Sequence, residues 1–328
     1  MTLRITAMIE RWPVAGQFII SRGAKTCVDV LVVAAGDGSN IGMGEGTAIY
    51  YYGETAEFCL AQVEAVIEDL EPLSADGARA LVQLLLPPGA ARNAVDCALW
   101  DLAAKAAGLP LWRYAGMNRK PEPLTTAFTI SLGNAATMKA DAAKAAAKSF
   151  GLLKLKLTGD GDRERVAAVR AGAPTARLIV DANESWGGLD IAAEVAALAE
   201  LGVEIVEQPV PSGQDSMLAE VGSALPVLAD ESCHTANDVQ RIAPYYDGVN
   251  IKLDKAGGLT EAIKLADAAE AAGLKIMVGC MLSTSLGIAP AFLLAQRADW
   301  VDLDGPALLS RDHPDGFHYE GGKIIPPS

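Results

Sequence analysis

Residues 151–160 read GLLKLKLTGD and place Lys154 and Lys156 two positions apart inside an apolar run. Side chains two apart on a β-strand point to the same face, so both cations share a face while the intervening leucines occupy the other. The rest of the run is typical of a buried strand. Two lysines on one face of such a strand need partners, and the surrounding sequence predicts where those partners come from.

This run is the second of eight short apolar segments that begin at about residue 124. They read PLTTAFTISL, LLKLKL, RLIVDAN, VEIVEQP, PVLADES, GVNIKLD, LKIMVGCM and WVDLDGP. Between them lie polar or Gly-rich turns and Ala-rich stretches with helical apolar spacing, many ending in glycine. Repeated strand and helix units with nearly uninterrupted apolar strands predict a parallel α/β barrel with helices outside. A doubly wound sheet is the structural alternative.

Residues 1–120 have a different pattern and predict an α+β capping domain. Three segments with alternating apolar residues and Gly-rich turns indicate an antiparallel meander, and three helical segments follow them. The prolines near residues 119–124 mark the predicted linker. We therefore expect a cap at 1–120, a barrel at 121–306 and a polar tail at 307–328 that packs back on the cap.

Composition and charge narrow the class of protein. The 328 residues include 27 basic and 41 acidic side chains, and a net charge of −14 disfavours nucleic acid and anionic membranes as partners. The five cysteines show no CxxC spacing, which favours a reducing compartment. With no signal peptide pattern and no run of about 18 uncharged apolar residues, we expect a cytoplasmic protein without membrane insertion.

Three carboxylates stand at the ends of successive predicted strands: Asp181 in VDAN, Glu207 in VEQP and Asp230 in LADES. The carboxyl ends of barrel strands meet at one mouth, where three close carboxylates repel one another unless a cation neutralises them. Carboxylate oxygens are hard ligands, so the sequence predicts a Mg²⁺ site. Any one of these residues alone has the alternative of a helix N-cap.

The lysines flank this triad in strand order, with Lys154 and Lys156 on the second strand and Lys252 on the sixth. The second and sixth strands of a closed eight-stranded barrel lie opposite each other. A substrate held above the metal would therefore meet a lysine on each side, an arrangement suited to proton transfer between two faces. The alternative is that these lysines only form salt bridges with the carboxylates.

The ordered motifs KLKL, VDAN, VEQP, ADES and NIKLDKAGGL resemble the enolase superfamily in its muconate-lactonising subgroup. The helix at 93–111, NAVDCALWDLAAKAAGLPL, is similar to the cap signature of that subgroup. This resemblance implies a (β/α)7β modified TIM barrel under an α+β cap. It also implies one Mg²⁺ per subunit on the three carboxylates, Lys156 and Lys252 as acid/base catalysts, and Lys154 as electrostatic support.

The eighth strand adds Asp302 and Asp304, which share a strand face and could together bind an ammonium group, although a cap or salt-bridge role is the alternative. This DxD resembles the dipeptide epimerases of the subgroup. The resemblance implies a dipeptide substrate, often L-Ala-D/L-Glu, whose C-terminal α-carbon is inverted by two lysines through a metal-stabilised enolate. Arg22 and Lys25 in the cap loop ISRGAKT are candidates to bind a side-chain carboxylate.

Other functions stay open at this stage. An o-succinylbenzoate synthase or N-acylamino-acid racemase on the same scaffold is the leading alternative, although its substrates lack the free ammonium that DxD suits. A non-catalytic barrel is a third. Among neighbouring residues, Asn183 and Glu231 are candidates to orient the ligands, and Lys255 is expected to be structural. A homo-oligomer is compatible with the sequence.

Overall fold

The computed structural model describes residues 2–20, 23–222 and 224–327, in which a small antiparallel sheet precedes a large parallel one. The first sheet joins β1 (Arg4–Ile20), β2 (Gly23–Gly36) and β3 (Ile41–Gly46) in that order. The β1–β2 register shifts between Pro13 and Phe18. A short 3₁₀ turn, Tyr50–Tyr52, then leads into the helices of the cap. They are α1 (Ala56–Glu64), α2 (Ile67–Leu70), α3 (Ala75–Leu85), α4 (Ala90–Ala106) and α5 (Leu111–Tyr114).

Strand β3 packs directly on helix α4, and the glycines of the IGMGEG sequence make this possible. A Cβ atom at Gly42, Gly44 or Gly46 would lie 2.2 Å from a backbone oxygen of α4. Only glycine permits such close contact between two backbones. The alternate glycines therefore belong to a strand, and their function is packing.

The second sheet has eight parallel strands that pair in chain order, and it confirms the predicted barrel. These strands are β5 (Phe128–Ile130), β6 (Leu152–Lys156), β7 (Arg177–Asp181), β8 (Val203–Glu207), β9 (Val227–Ala229), β10 (Gly248–Ile251), β11 (Lys275–Gly279) and β12 (Trp300–Asp302). A backbone hydrogen bond of 2.8 Å from Ala127 N to Val301 O joins the first and last strands. The sheet is thus nearly closed.

The helices around the barrel vary in length. The longer ones are α6 (Ala135–Ala147), α7 (Asp162–Gly172), α8 (Ile191–Glu200), α11 (Leu259–Ala271) and α12 (Ser285–Ala295), and the short ones are α9 (Val239–Ile242), α10 (Leu253–Ala256) and α13 (Gly305–Leu308). After β8 the described chain forms only a 3₁₀ turn, Asp215–Leu218, where the repeat predicts a crossover helix. Prolines and glycines on both sides of that turn remove helix donors and favour non-helical backbone.

The chain's last segment contacts both domains. Leu309 bridges to Val14 of the cap, and the Ser310 N–H donates to Pro13 O at 2.9 Å. The final strands, β13 (His318–Glu320) and β14 (Lys323–Ile325), form a sheet with β4 (Leu124–Thr125) at the entry to the barrel. Only the first part of the tail therefore lies on the cap, and the exact domain boundaries stay predictions.

The interior of the barrel is divided into two layers. An apolar layer lies low inside it, formed by Ala127, Leu152, Ile179, Ile205, Leu228 and Met277. A larger apolar cluster fills the space between the strands and the surrounding helices. Among the described helices, none combines the length and the apolar character needed to cross a bilayer.

Candidate active site

Charged side chains form the second layer, directly above the apolar one. Ile179 precedes Asp181 by two positions on β7, and Ile205 precedes Glu207 by two positions on β8. The period of two along a strand therefore directs each carboxylate into the barrel above its apolar neighbour. Lys156 pairs in register with Asp181, and Asp181 with Glu207, so these groups lie side by side around the mouth.

Asp181, Glu207 and Asp230 are buried, and each places one carboxylate oxygen within 4.8 Å of the other two. Burial and the nearby Asp181 raise the pKa of Glu207 to about 7. Burial would also raise the pKa of Asp230, but Lys252 and Lys255 hold it well below its usual value. Because all three donors are carboxylate oxygens, without imidazole or thiolate, the set fits a hard cation such as Mg²⁺.

Each lysine contacts a different part of this cluster. Lys154 Nζ lies 2.6 Å from Glu207 Oε2 and 2.7 Å from Asp302 Oδ2. Lys156 Nζ lies 2.7 Å from Asp181 Oδ2. Lys252 Nζ lies 2.6 Å from Asp230 Oδ2. The salt bridges that are the alternative role of these lysines are therefore present.

Electrostatics keep two of these buried lysines protonated. Burial alone would lower the pKa of Lys154, but Asp302, Glu207 and Asp181 raise it well above its usual value. The pKa of Lys252 is likewise lowered by burial and raised more strongly by Asp230. Both side chains are therefore ammonium groups as long as the neighbouring carboxylates are ionised. Neutralising those carboxylates would weaken the attraction that raises the pKa of the two lysines.

Three polar residues support the triad, and two of them, Asn250 and Gln208, were not predicted from the sequence. Asn250 Nδ2 donates to Glu207 Oε1 at 2.6 Å, and Gln208 Oε1 accepts from the Asp230 N–H at 2.8 Å. Lys255, expected to be structural, lies with its Nζ 2.7 Å from Asp230 Oδ1 and donates to three backbone carbonyls. Asn250 shares the inward face of its strand with Lys252 two positions later, a signal that the sequence contains.

Asn183, named as a candidate to orient the ligands, acts through its backbone. Its N–H donates to Asp181 Oδ1 at 2.9 Å, and its φ of 44° lies in the left-handed region. Its side chain also lines the cavity described next. Glu231 is buried beside Asp230, and its carbonyl lies 3.1 Å from His234 Nε2.

A cavity of about 140 Å³ lies between the barrel mouth and the cap, and Lys156 and Lys252 both line it. Strands β6 and β10, which place these lysines, are separated by three strands on either side of the barrel. The two amines therefore reach the cavity from opposite sides. A small molecule in the cavity can meet one lysine on each of its faces.

Asp302 and Asp304 line another part of the same cavity. Asp302 Oδ1 is buried and has no hydrogen-bond partner in the described part of the chain, whereas its Oδ2 pairs with Lys154. Asp304 Oδ2 accepts from the Thr129 N–H at 2.7 Å, and burial together with Asp302 raises the pKa of Asp304 to about 7. A buried carboxylate oxygen without a donor suits a cationic ligand.

The cap covers the cavity with Lys25 and a tyrosine turn, Tyr50–Tyr52. Lys25 is half-buried, its pKa is lowered by burial, and its Nζ lies 4.6 Å from the centroid of the Tyr50 ring. Tyr52 anchors the turn to the barrel, since its hydroxyl lies 2.8 Å from His234 Nε2. Arg22, the other predicted cation of this loop, lies outside the described residues.

Comparison with protein families identifies both domains. Residues 137–328 match the model described as "Enolase C-terminal domain-like". Residues 3–116 match the "Mandelate racemase / muconate lactonizing enzyme, N-terminal domain". Together these matches cover the chain except for residues 1–2 and 117–136, the second of which includes β4 and β5.

Individual relatives align over nearly the whole chain. The L-Ala-D/L-Glu epimerase of Escherichia coli (strain K12) is 41% identical, with 96% of this chain and 97% of that protein covered. A solved enolase family member from Agrobacterium tumefaciens, with bound sodium and L-Ala-L-Glu, is 45% identical at a TM-score of 0.94, covering 99% and 98% of the two chains. A dipeptide epimerase from Enterococcus faecalis V583, complexed with Mg and L-Leu-L-Tyr, is 28% identical at a TM-score of 0.93, covering 100% and 98%.

Proposed function

Because this chain belongs to the mandelate racemase and muconate-lactonising enzymes of the enolase superfamily, we propose that it is a Mg²⁺-dependent dipeptide epimerase. The observation that carries the proposal is the placement of Lys156 and Lys252 on opposite sides of one buried cavity, beside three convergent carboxylates. An isomerase that inverts a carbon centre by proton transfer needs a base on one face and an acid on the other.

In the proposed reaction, one lysine removes the α-proton of the C-terminal residue and the other returns a proton to the opposite face. Asp181, Glu207 and Asp230 would hold Mg²⁺. When bound, this ion would supply positive charge to the carboxylate next to the reacting carbon. Lys154 lies between Glu207 and Asp302 and would add further positive charge to the same region. Asn250 and Gln208 would keep the ligating carboxylates in position.

Substrate recognition would rest on both ends of the cavity. Asp302 and Asp304 would bind the α-ammonium of the N-terminal residue, which the unpartnered Asp302 Oδ1 supports. Lys25 would bind a side-chain carboxylate of the C-terminal residue, since it is half-buried, lines the cavity and forms no ion pair with another described residue. We therefore propose L-Ala-D/L-Glu as the substrate, with Arg22 as a further candidate to bind the glutamate side chain.

We also propose one Mg²⁺ per subunit, a cytoplasmic location and murein peptides as the source of the dipeptide. A homo-oligomer is compatible with the proposal. The excess of acidic side chains supports the proposed absence of nucleic acid and membrane partners, since it opposes binding to both.

The proposal is tested by incubating the Mg²⁺-loaded protein with L-Ala-L-Glu in D₂O and following the glutamate α-proton by NMR. We expect that signal to disappear while L-Ala-D-Glu accumulates. Failure of a panel of dipeptides to exchange the C-terminal α-proton would exclude the proposed activity.

N-acetyl-L-glutamate serves as the comparison substrate for the N-acylamino-acid racemase alternative. The variant Asp302→Asn should lose activity on the dipeptide, because it weakens ammonium binding, and should change activity on the acetylated substrate much less. Equal losses on both substrates would mean that Asp302 acts through Lys154, which it contacts at 2.7 Å, and not through the ammonium group.

A further inference from the structure

A second cavity, of about 210 Å³, lies next to the substrate cavity on its outer side. Its lining is mixed: Val14, Phe128 and Ile130 are apolar, whereas Gln17, Ser131, Asp141, Lys144 and Lys148 are polar or charged, and both lysines are exposed. Three residues line both cavities: Phe18, Thr129 and Leu308. We call these three residues the partition, because they lie between the substrate cavity and the second cavity.

The partition stands beside the end of the substrate cavity that contains the DxD pair. The Thr129 N–H donates to Asp304 Oδ2 at 2.7 Å, and Leu308 ends helix α13, which begins directly after Asp304. Lys25 and Tyr50, in contrast, line the substrate cavity without lining the second one. An N-terminal residue bound through its ammonium at Asp302 and Asp304 would therefore direct its side chain toward the partition.

Tertiary contacts hold the partition in place. Phe18 and Leu308 are half-buried and pack against an apolar cluster that includes Trp12, Leu282 and Leu309. On the other side of Phe18, the neighbouring Ile19 accepts the Leu132 N–H at 2.9 Å, which joins cap strand β1 to the loop after β5. The partition is thus fixed by the cap, the barrel and the tail together.

We propose that Phe18 and Leu308 set the largest N-terminal side chain that the enzyme accepts, and that the second cavity is the space a larger apolar side chain enters when the partition is trimmed. This inference rests on the proposed dipeptide epimerase function. Small N-terminal side chains such as that of alanine fit in front of the partition. Branched or aromatic ones meet Phe18 and Leu308, while the apolar residues behind them, Val14, Phe128 and Ile130, suit a side chain such as leucine.

The test compares kcat/KM for L-Leu-L-Glu and L-Ala-L-Glu in the wild type and in Leu308→Ala. We expect the wild type to prefer alanine and the variant to raise the Leu/Ala ratio by about tenfold or more, because a hydrophobic pocket discriminates by size at that level. The change should appear mainly in KM for L-Leu-L-Glu, since the partition does not contact the lysines that move the proton. Leu308→Phe should shift the ratio in the opposite direction.

Leu286→Ala is the matched control. Leu286 is half-buried like Leu308 and packs against the same apolar cluster, but it lines neither cavity. This variant makes an equal truncation without opening the partition, so its Leu/Ala ratio should stay within about twofold of the wild type. Thermal melting of each variant checks the fold, and Phe18→Ala replaces Leu308→Ala if the latter is unfolded.

The possible outcomes distinguish a failure of the partition inference from a failure of the proposed epimerase function. A wild type that exchanges no dipeptide α-proton overturns both. An active wild type that accepts both peptides equally, or folded partition variants whose Leu/Ala ratio matches that of Leu286→Ala, overturns the partition alone and leaves the epimerase function standing.

Discussion

Lys156 and Lys252 face the cavity from opposite sides, but their surroundings differ. Lys156 pairs with Asp181, which Lys154 also approaches at 3.7 Å. Lys252 pairs with Asp230, whose second oxygen is bound by Lys255 at 2.7 Å. Each lysine is thus coupled to a different candidate metal ligand. Because the two amines reach the cavity from opposite sides, their proposed contributions to proton transfer can be separated by stereochemistry.

We expect Lys156→Ala and Lys252→Ala each to abolish α-proton exchange from one epimer of Ala-Glu while retaining exchange from the other. The loss should be at least about a hundredfold, the usual contribution of a positioned acid or base. Deuterium incorporation into L-Ala-L-Glu and L-Ala-D-Glu, measured separately by NMR, checks this pattern. Lys264→Ala, which changes an exposed lysine of α11, is the control. If one variant exchanged both epimers at the wild-type rate, that lysine would not be a catalyst.

At the scale of residues, strand periodicity was enough to place the lysines and carboxylates inside the barrel. It also contained the signal for Asn250, two positions before Lys252 on the same face. Gln208 could not be found in this way, because it adopts a φ of 36° directly after a strand and its side chain turns back to the Asp230 backbone. Such a conformation is imposed by tertiary contacts and leaves no local pattern. The roles of all these residues stay predictions.

Among the elements, the strands followed from sequence more reliably than their connections. The runs of β6, β7 and β8 are short, apolar and bounded by turns, and each forms a strand as predicted. The connection after β8 lacks the predicted helix, and β13 and β14 form a sheet with β4 that the polar, turn-rich tail did not indicate. Both features depend on what the rest of the fold places nearby, which local periodicity does not encode.

The elements that join the cap to the barrel do so through buried carboxyl groups. Glu45 of β3 accepts hydrogen bonds from the backbone and hydroxyl of Thr284, which caps α12. Asp254 accepts the Thr47 N–H at 2.8 Å, and the pKa of Asp254 is raised by burial to about 7. The pKa of Glu45 is raised by burial to about 8, with smaller increases from Asp254 and Asp312. Burial therefore opposes ionisation of both carboxyl groups, although the Thr284 hydrogen bonds favour the ionised form of Glu45.

The raised pKa of Glu45 makes the stability of the fold depend on pH. A carboxyl whose pKa rises from about 4.3 in the unfolded chain binds more protons when folded, so its stabilising effect is complete below that value. The effect is lost as pH rises toward about 8. We expect Glu45→Gln, which mimics the protonated group, to reduce the fall in stability between pH 5 and pH 9. Urea midpoints across this range check it, with the exposed Glu57→Gln as control. If the urea midpoint of Glu45→Gln fell with pH as steeply as that of the wild type, Glu45 would not titrate between pH 5 and pH 9.

For the whole molecule, a net charge of −14 coexists with a buried cluster in which three carboxylates lie within 4.8 Å of one another. The net negative charge attracts cations weakly and non-specifically, and this attraction is screened by salt. The cluster exists only in the folded chain, because its members come from β7, β8 and the end of β9. A cation that binds there stabilises the fold by mass action, whereas a cation attracted to the surface charge does not depend on the cluster.

We therefore expect Mg²⁺ to raise the melting temperature, and EDTA to reverse the rise. At a free Mg²⁺ concentration about a hundred times its dissociation constant, linkage gives about 2.7 kcal/mol of stabilisation, enough for a shift of several degrees. Calorimetry at constant ionic strength, with NaCl replacing MgCl₂, removes the contribution of screening. Asp230→Asn should lose the Mg²⁺-dependent rise, while Asp315→Asn, which changes an exposed carboxylate of the tail, should keep it. An equal Mg²⁺ response in both variants would mean that the ion acts on the surface charge and that the three carboxylates do not form its site.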